Sequence, residues 1–304
     1  KMIKQANDAS YLFDKEVEVI DTVVSRAPDL DLTFSRVFAF KQMSNPEAEV
    51  SKYRVADTDG GAAELLRKLA EYPKIKISGT ESTTEVWKVG ISFDIPVEDV
   101  KNSRAWGRPL DTEYVERAKR AVDDKMNALA YVGDSQFGVP GILELTGVTA
   151  HSGSDFDLAS LNLADEITRA VNAIPVQFRK RQYSLVLADN EWKKLVKIGN
   201  TTSNQTWLEI ATRQHPNVQF VVESKLDSAT ALASGATVAV GTAMLIPSDP
   251  ILCRLQVGFM PMAVFQPNQN VEFEEKISGK VKARLSTVEV PHPTSIVKIT
   301  GWDA

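Results

Sequence analysis

From Asp111 to Gly133 the apolar residues Val115, Ala118, Val122, Met126 and Leu129 step by 3, 4, 4 and 3, which sets them in one stripe down a helix. The other face offers Glu113 with Arg117 and Glu116 with Arg120, each pair four apart with the acid first, the order that supports a helix. Asp111 stands where an N-cap accepts a bond from an otherwise unpaired first-turn amide, and Gly133 where a helix ends in the left-handed conformation. The result is a helix of about six turns, against a usual three to four. A stripe that long cannot bury itself. Other layers must pack along it, so this helix is expected to be the spine of the fold.

Directly before it, Trp87, Val89, Ile91, Phe93 and Ile95 alternate with Lys88, Gly90, Ser92 and Asp94, and Pro96 closes the run. Period two predicts a strand with one dry face and one wet face. Ser51 to Thr84 is polar and carries the turn signal Asp57-Thr58-Asp59-Gly60-Gly61 and a short helical stretch over 62–71. The first fifty residues have the composition of an arm. Its Asp8–Val24 stretch suits a weakly amphipathic helix that Pro28 would end, and Phe34, Val37, Phe38 and Phe40 form an apolar cluster. A short arm cannot bury that cluster on itself, so packing against the body or another subunit is expected.

After the spine helix, Gly138-Val139-Pro140-Gly141 reads as a tight turn and His151–Asp157 as a polar loop. Helices are expected over 164–174, 190–198 and 205–213, and strands over 183–187, 218–222, 237–240 and 252–257, an alternation that makes an α/β unit. The end returns to strands, with Val281, Ala283 and Leu285 alternating with Lys282, Arg284 and Ser286, and Ile296–Thr300 last. The whole is α+β. At 304 residues it amounts to two domains, or one large domain with extensions.

Composition excludes several function classes. The longest apolar run, Ala128–Val132, is five residues, far short of a membrane span of about 20. One cysteine, Cys253, excludes an internal disulfide framework and a thiolate metal cluster, and His151, His215 and His292 lack metal-ligand spacing. Thirty-five basic and 40 acidic residues give a net charge of −5, unlike a chain that grips nucleic acid directly. No Gly-rich phosphate cradle follows a strand, and Arg179-Lys180-Arg181 reads as a solvated loop.

One catalytic alternative is visible. Gly133-Asp134-Ser135 matches a short serine-hydrolase signature, and Glu289 precedes His292 by three, so Ser135 and His292 with that acid compose the parts of a triad. A hydrolase serine of that kind follows the first strand, however, whereas Ser135 follows a long helix at mid-chain. The simpler reading is that Gly133 caps the helix and Asp134-Ser135 turn the corner. No catalytic, cofactor or metal site is assigned.

The order of parts resembles the major capsid proteins of tailed bacteriophages, whose Hong Kong 97-type fold also occurs in encapsulins. The local match is Arg104-Ala105-Trp106-Gly107-Arg108-Pro109-Leu110-Asp111, then the helix, then Tyr131-Val132-Gly133-Asp134 and a turn of the form Gly-x-x-Gly-Leu-Leu, filled here by Gly138, Gly141, Ile142 and Leu143. The terminal segment Arg284–Gly301 looks like the family's last β segment. The branch it looks most like is an uncharacterised-domain group of phage capsid proteins with the same Leu-Asp helix start.

The resemblance implies a division into an N-terminal arm (1–50), an extended loop reaching over a neighbour (51–86), a peripheral domain (87–135 and 263–304) and an axial domain (136–262). It places Phe34, Phe38 and Phe40 between subunits. It implies a non-enzymatic subunit that self-assembles through hexamers and pentamers into an icosahedral head around double-stranded DNA, without sequence-specific contact. Portal, scaffolding and decoration proteins are the further partners implied, with assembly in the host bacterial cytoplasm and residence in the virion. The alternative is an encapsulin-like shell holding a cargo enzyme. Some relatives crosslink a loop lysine, but no such bond is assigned to Lys68, Lys74 or Lys76. A start at Lys1 fits removal of a scaffolding segment and trimming of a longer chain equally well.

Overall fold

A computed structural model of the chain describes residues 32–59, 76–99, 110–154, 156, 162–200, 204–227, 230–265 and 276–302. The expected helices over 8–24 and 62–71, and most of the Arg104–Asp111 motif, lie outside these residues.

The spine helix α2 runs Leu110–Tyr131, so Asp111 falls inside its first turn rather than at the cap. It is preceded in the chain by the short helix α1 (Phe34–Val37) and strands β1 (Ala39–Gln42), β2 (Val50–Asp59) and β3 (Lys76–Pro96). After it come the small strands β4 (Gly133–Asp134) and β5 (Val139–Pro140), then β6 (Thr149–Ser152), α3 (Leu163–Asn172), β7 (Tyr183–Leu187) and α4 (Asp189–Leu195). Strands β8 (Ile198–Asn200) and β9 (Gln205–Thr206), helix α5 (Trp207–Gln214) and strand β10 (Val218–Val222) follow. Strands β11 (Ala243–Pro247), β12 (Arg254–Phe265), β13 (Lys276–Glu289) and β14 (Val297–Thr300) complete the order.

Two five-stranded sheets organise the molecule, in the orders β1-β12-β13-β3-β2 and β10-β7-β11-β14-β6. Helix α2 lies on the first sheet against β3, β13 and β12. Its stripe is the buried face: Ala118, Val122, Met126 and Leu129 join Val281, Ala283 and Leu285 in one core. Arg117 pairs with Glu113 at 3.2 Å on the wet side, and Arg120 reaches Asp124 at 3.6 Å.

The second sheet is dry on both faces at its central strands β7 and β11. From β7 and β11, Val186, Met244 and Ile246 point into the core shared with α2, while Leu185, Leu187 and Leu245 point into a second core with α3 and α5. Both strands are therefore buried at every position, the continuous pattern of a sheet covered on two sides. Strand β11 did not register as a strand in the sequence, because its run Ala243-Met244-Leu245-Ile246 has no alternation to show.

Further expectations differ from what is found. Phe34, Val37 and Phe38 are buried within their own chain, 3%, 0% and 3% exposed, and only Phe40 stays partly open. The reason is that α1 docks on α2, where Phe38 meets the Tyr131 ring edge-on at 5.3 Å. His151 and Ser152 belong to β6 rather than to a loop. No strand forms over 237–240; Thr237 makes an isolated bridge to Ala231. The last segment leaves the β12–β13 sheet: β14 pairs with β11 and β6, and Trp302 is fully buried in the second core, stacked on Phe156 at 4.6 Å.

Candidate assembly site

Strand β3 has two lives. Residues 86–96 pair with β13 inside the first sheet, and residues 76–85 pair only with β2. From Val50↔Glu85 to Asp59↔Lys76 the two strands form a ribbon of ten paired positions, roughly 30 Å long at strand rise. Ile95 is the one residue of the predicted dry face that is fully buried; Trp87, Val89 and Phe93 are half-buried and Ile91 is 43% exposed. On the ribbon, Lys52 and Arg54 both reach Glu81, at 3.3 and 3.4 Å. Lys52, and then Arg54, hold the Glu81 carboxyl below the usual carboxylate range.

The turn after α2 is built by two glycines. Gly133 has φ +85°, and a Cβ there would stand 2.0 Å from the Val139 carbonyl oxygen. A Cβ at Gly141 would stand 2.3 Å from the Tyr131 carbonyl oxygen. Only glycine lets the turn fold back on the helix end. This carries Phe137 to the surface, 61% exposed, with its ring 5.5 Å from that of Trp87. A cavity of about 200 Å³ opens beside this pair, between Val89, Leu129 and Val139. At its rim Lys125 donates to Asp134 and holds that carboxyl below its usual range.

The triad components are not brought together. Ser135 sits exposed in the β4–β5 turn, and His292 tilts against Phe178 with ring centroids 5.8 Å apart. Glu289 is occupied by Ser51, Arg254 and Gln256, and among the described residues no hydrogen bond joins Ser135 to His292. Nor do the described residues contain a group of three or more His, Cys, Asp or Glu able to hold a metal ion. No helix among them is long and apolar enough to cross a membrane.

Sequence reasoning missed a buried polar network at the junction of α1, α2 and the segment after β10. Glu223, 2% exposed, accepts from the Thr33 hydroxyl, from Asn127 Nδ2 at 3.2 Å and from the Lys225 amide at 3.1 Å. Asn127 Oδ1 in turn accepts from the Phe34 amide at 3.1 Å, and Tyr131 and Thr33 hydroxyls lie 2.9 Å apart. Burial pushes the Tyr131 phenol far above its usual pKa, so it stays protonated and donates to Thr33. Residues 98 and 190 apart meet here, and no local signal announces them.

A spine helix thus lies across one sheet, a ribbon extends from that sheet and an α/β unit follows. The family model for major capsid proteins matches residues 61–301, and the chain belongs to that family. It is a structural protein that self-assembles into a shell. The capsid of Myoviridae phage XM1 is similar in structure, with a TM-score of 0.72 at 16% identity over 94% of this chain and 97% of that one. The capsid of a native GTA particle gives 0.67 at 13% identity, covering 98% of each chain. A virus-like particle from Pyrococcus furiosus gives 0.56 at 12% identity, covering 87% of this chain and 91% of that one. These likenesses establish the Hong Kong 97-type fold. No curated protein matches the chain.

Proposed function

We propose that this chain is the non-enzymatic shell subunit of an icosahedral tailed-phage head enclosing double-stranded DNA, assembled in the host cytoplasm through hexamers and pentamers. The observation that carries the reading is the ribbon. Its ten paired positions use each other as hydrogen-bond partners, and β2 forms an open edge of its sheet, so its distal half is available to a second copy. Within the subunit we assign 1–50 to an arm, 51–86 to the extended loop, 87–135 with 263–296 to the peripheral unit, and 136–262 to the axial unit. Residues 297–302 go with the axial unit because β14 pairs there. Contact with DNA is without sequence preference: an acidic chain of net charge −5 forms few fixed contacts to phosphates, so packaged DNA can slide. Portal, scaffolding and decoration proteins complete the partner set.

Replacing residues 56–80 with a short Gly/Ser linker tests the reading. A loop's closing cost changes slowly with length, so the subunit should fold, with a circular dichroism spectrum and melt close to wild type. Negative-stain microscopy should then show no stable shells. Normal shells from this variant would overturn the assignment of the ribbon. A co-purifying enzyme in place of genome-length DNA in native particles would favour the cargo-compartment alternative.

A further inference from the structure

Two buried charges sit at the root of the ribbon. The Glu289 side chain is fully enclosed and uses both oxygens. Ser51 Oγ donates to Oε1 at 2.7 Å, while Arg254 Nε and Gln256 Nε2 donate to Oε2 at 2.9 Å each. The Arg254 guanidinium also lies 5.9 Å from the centroid of the Tyr53 ring. Five residues back along β13, Arg284, 1% exposed, donates from Nη1 to Glu47 at 2.7 Å. Glu47 belongs to the segment that leads into β2. That segment presses on β12 so closely that a Cβ at Gly258 would stand 2.7 Å from the Pro46 carbonyl oxygen.

Next along the ribbon the backbone ladder continues, and the charged contacts that the described side chains make there are the exposed ones of Lys52 and Arg54 to Glu81. Exposed pairs of this sort add little and tolerate movement. A buried carboxylate does not, because every donor it loses leaves charge unsatisfied away from water. The ribbon is thus held stiffly at its root.

We propose that the Glu289–Ser51–Arg254–Gln256 centre, with the Arg284–Glu47 pair farther along β13, is an angular clamp. It sets the direction in which the ribbon leaves the sheet, and so fixes where the distal half meets a second copy. The last step rests on the reading of the ribbon as the intersubunit element. The clamp itself does not.

Ser51→Ala removes the ribbon's own bond to Glu289 Oε1, while Arg254 and Gln256 still hold Oε2 and keep the carboxylate anchored to β12, so the fold survives. Tyr53→Leu is the second variant and removes the ring under Arg254. Hydrogen exchange on dissociated full-length subunits should show amides of 50–55 and 82–86 exchanging about ten- to a hundredfold faster, the range that follows from one lost hydrogen bond to a charged group. Amides of β12 and of the second sheet should keep their wild-type rates. Microscopy of the assembled variants should show irregular or misclosed particles. Unchanged exchange at 50–55 in both variants overturns the clamp. Faster exchange with uniform shells of wild-type size overturns its link to assembly. If the 56–80 linker variant assembles normally, the ribbon reading has failed, and the exchange result still decides the clamp.

Discussion

Replacing Thr33 with valine keeps the shape of the side chain and deletes one hydroxyl from the network around Glu223. In the native protein that hydroxyl donates to the Glu223 carboxylate and accepts from Tyr131, and Thr33, Tyr131 and Glu223 are 2%, 0% and 2% exposed. Water cannot replace the lost partner without opening the junction. Losing a hydrogen bond to a charged group costs about 1.5–3 kcal/mol, and a stranded buried hydroxyl on Tyr131 costs about 1–3 kcal/mol more. Thr33→Val is therefore expected to destabilise the subunit by about 3–5 kcal/mol, a large part of a typical net stability. Tyr131→Phe alone should cost about 1 kcal/mol, since the charged bond from Thr33 to Glu223 survives. In the double variant the Tyr131 penalty vanishes, so its cost should fall short of the sum of the singles by about 1–3 kcal/mol. Urea unfolding of dissociated subunits, followed by tryptophan fluorescence, measures all three. A Thr33→Val subunit within about 0.5 kcal/mol of wild type, or strictly additive singles, would refute the reasoning.

Gly133→Ala and Gly141→Ala each force a Cβ to within 2.0 and 2.3 Å of backbone carbonyl oxygens, so each should give an insoluble or strongly destabilised subunit; a melt within a few degrees of wild type would show that the turn relaxes freely. Burial lowers the pKa of His215, whose Nε2 lies 2.8 Å from the Thr168 hydroxyl. The unfolded chain therefore binds the proton more readily, and this contribution to stability, present above about pH 6.5, is lost as pH falls towards the lower folded value. Denaturation midpoints should drop between pH 7.5 and 5.5 in wild type and drop less in His215→Gln; equal slopes would count against the assignment. Cys253 is fully buried and its thiol is pushed well above the usual range, so thiol reagents should modify it at the rate of subunit unfolding; rapid labelling of folded subunits would contradict the packing around β12.

The residues legible from sequence are those whose partners lie within a turn or two. The α2 stripe steps by 3 and 4 whatever it packs against, and Gly133 and Gly141 are demanded by backbone within ten residues of themselves. The order of these local pieces was also enough to point to the capsid family. What the tertiary structure alone decided involves groups far apart in the chain. Whether Phe34 and Phe38 pack inside the subunit or between subunits depends on the complement α2 offers them, and an apolar residue carries no address. Strand β14 could have extended the first sheet or the second, because a four-residue run of alternating apolar residues fits any open edge; β11 and β6 offered one. Glu223 and Glu289 read in sequence as ordinary acids, and each becomes a buried centre only when donors 190 and 238 residues away arrive beside it. A hydrogen bond is short-ranged and directional, so its partner is chosen by the folded geometry and leaves no spacing in the chain from which it could be read.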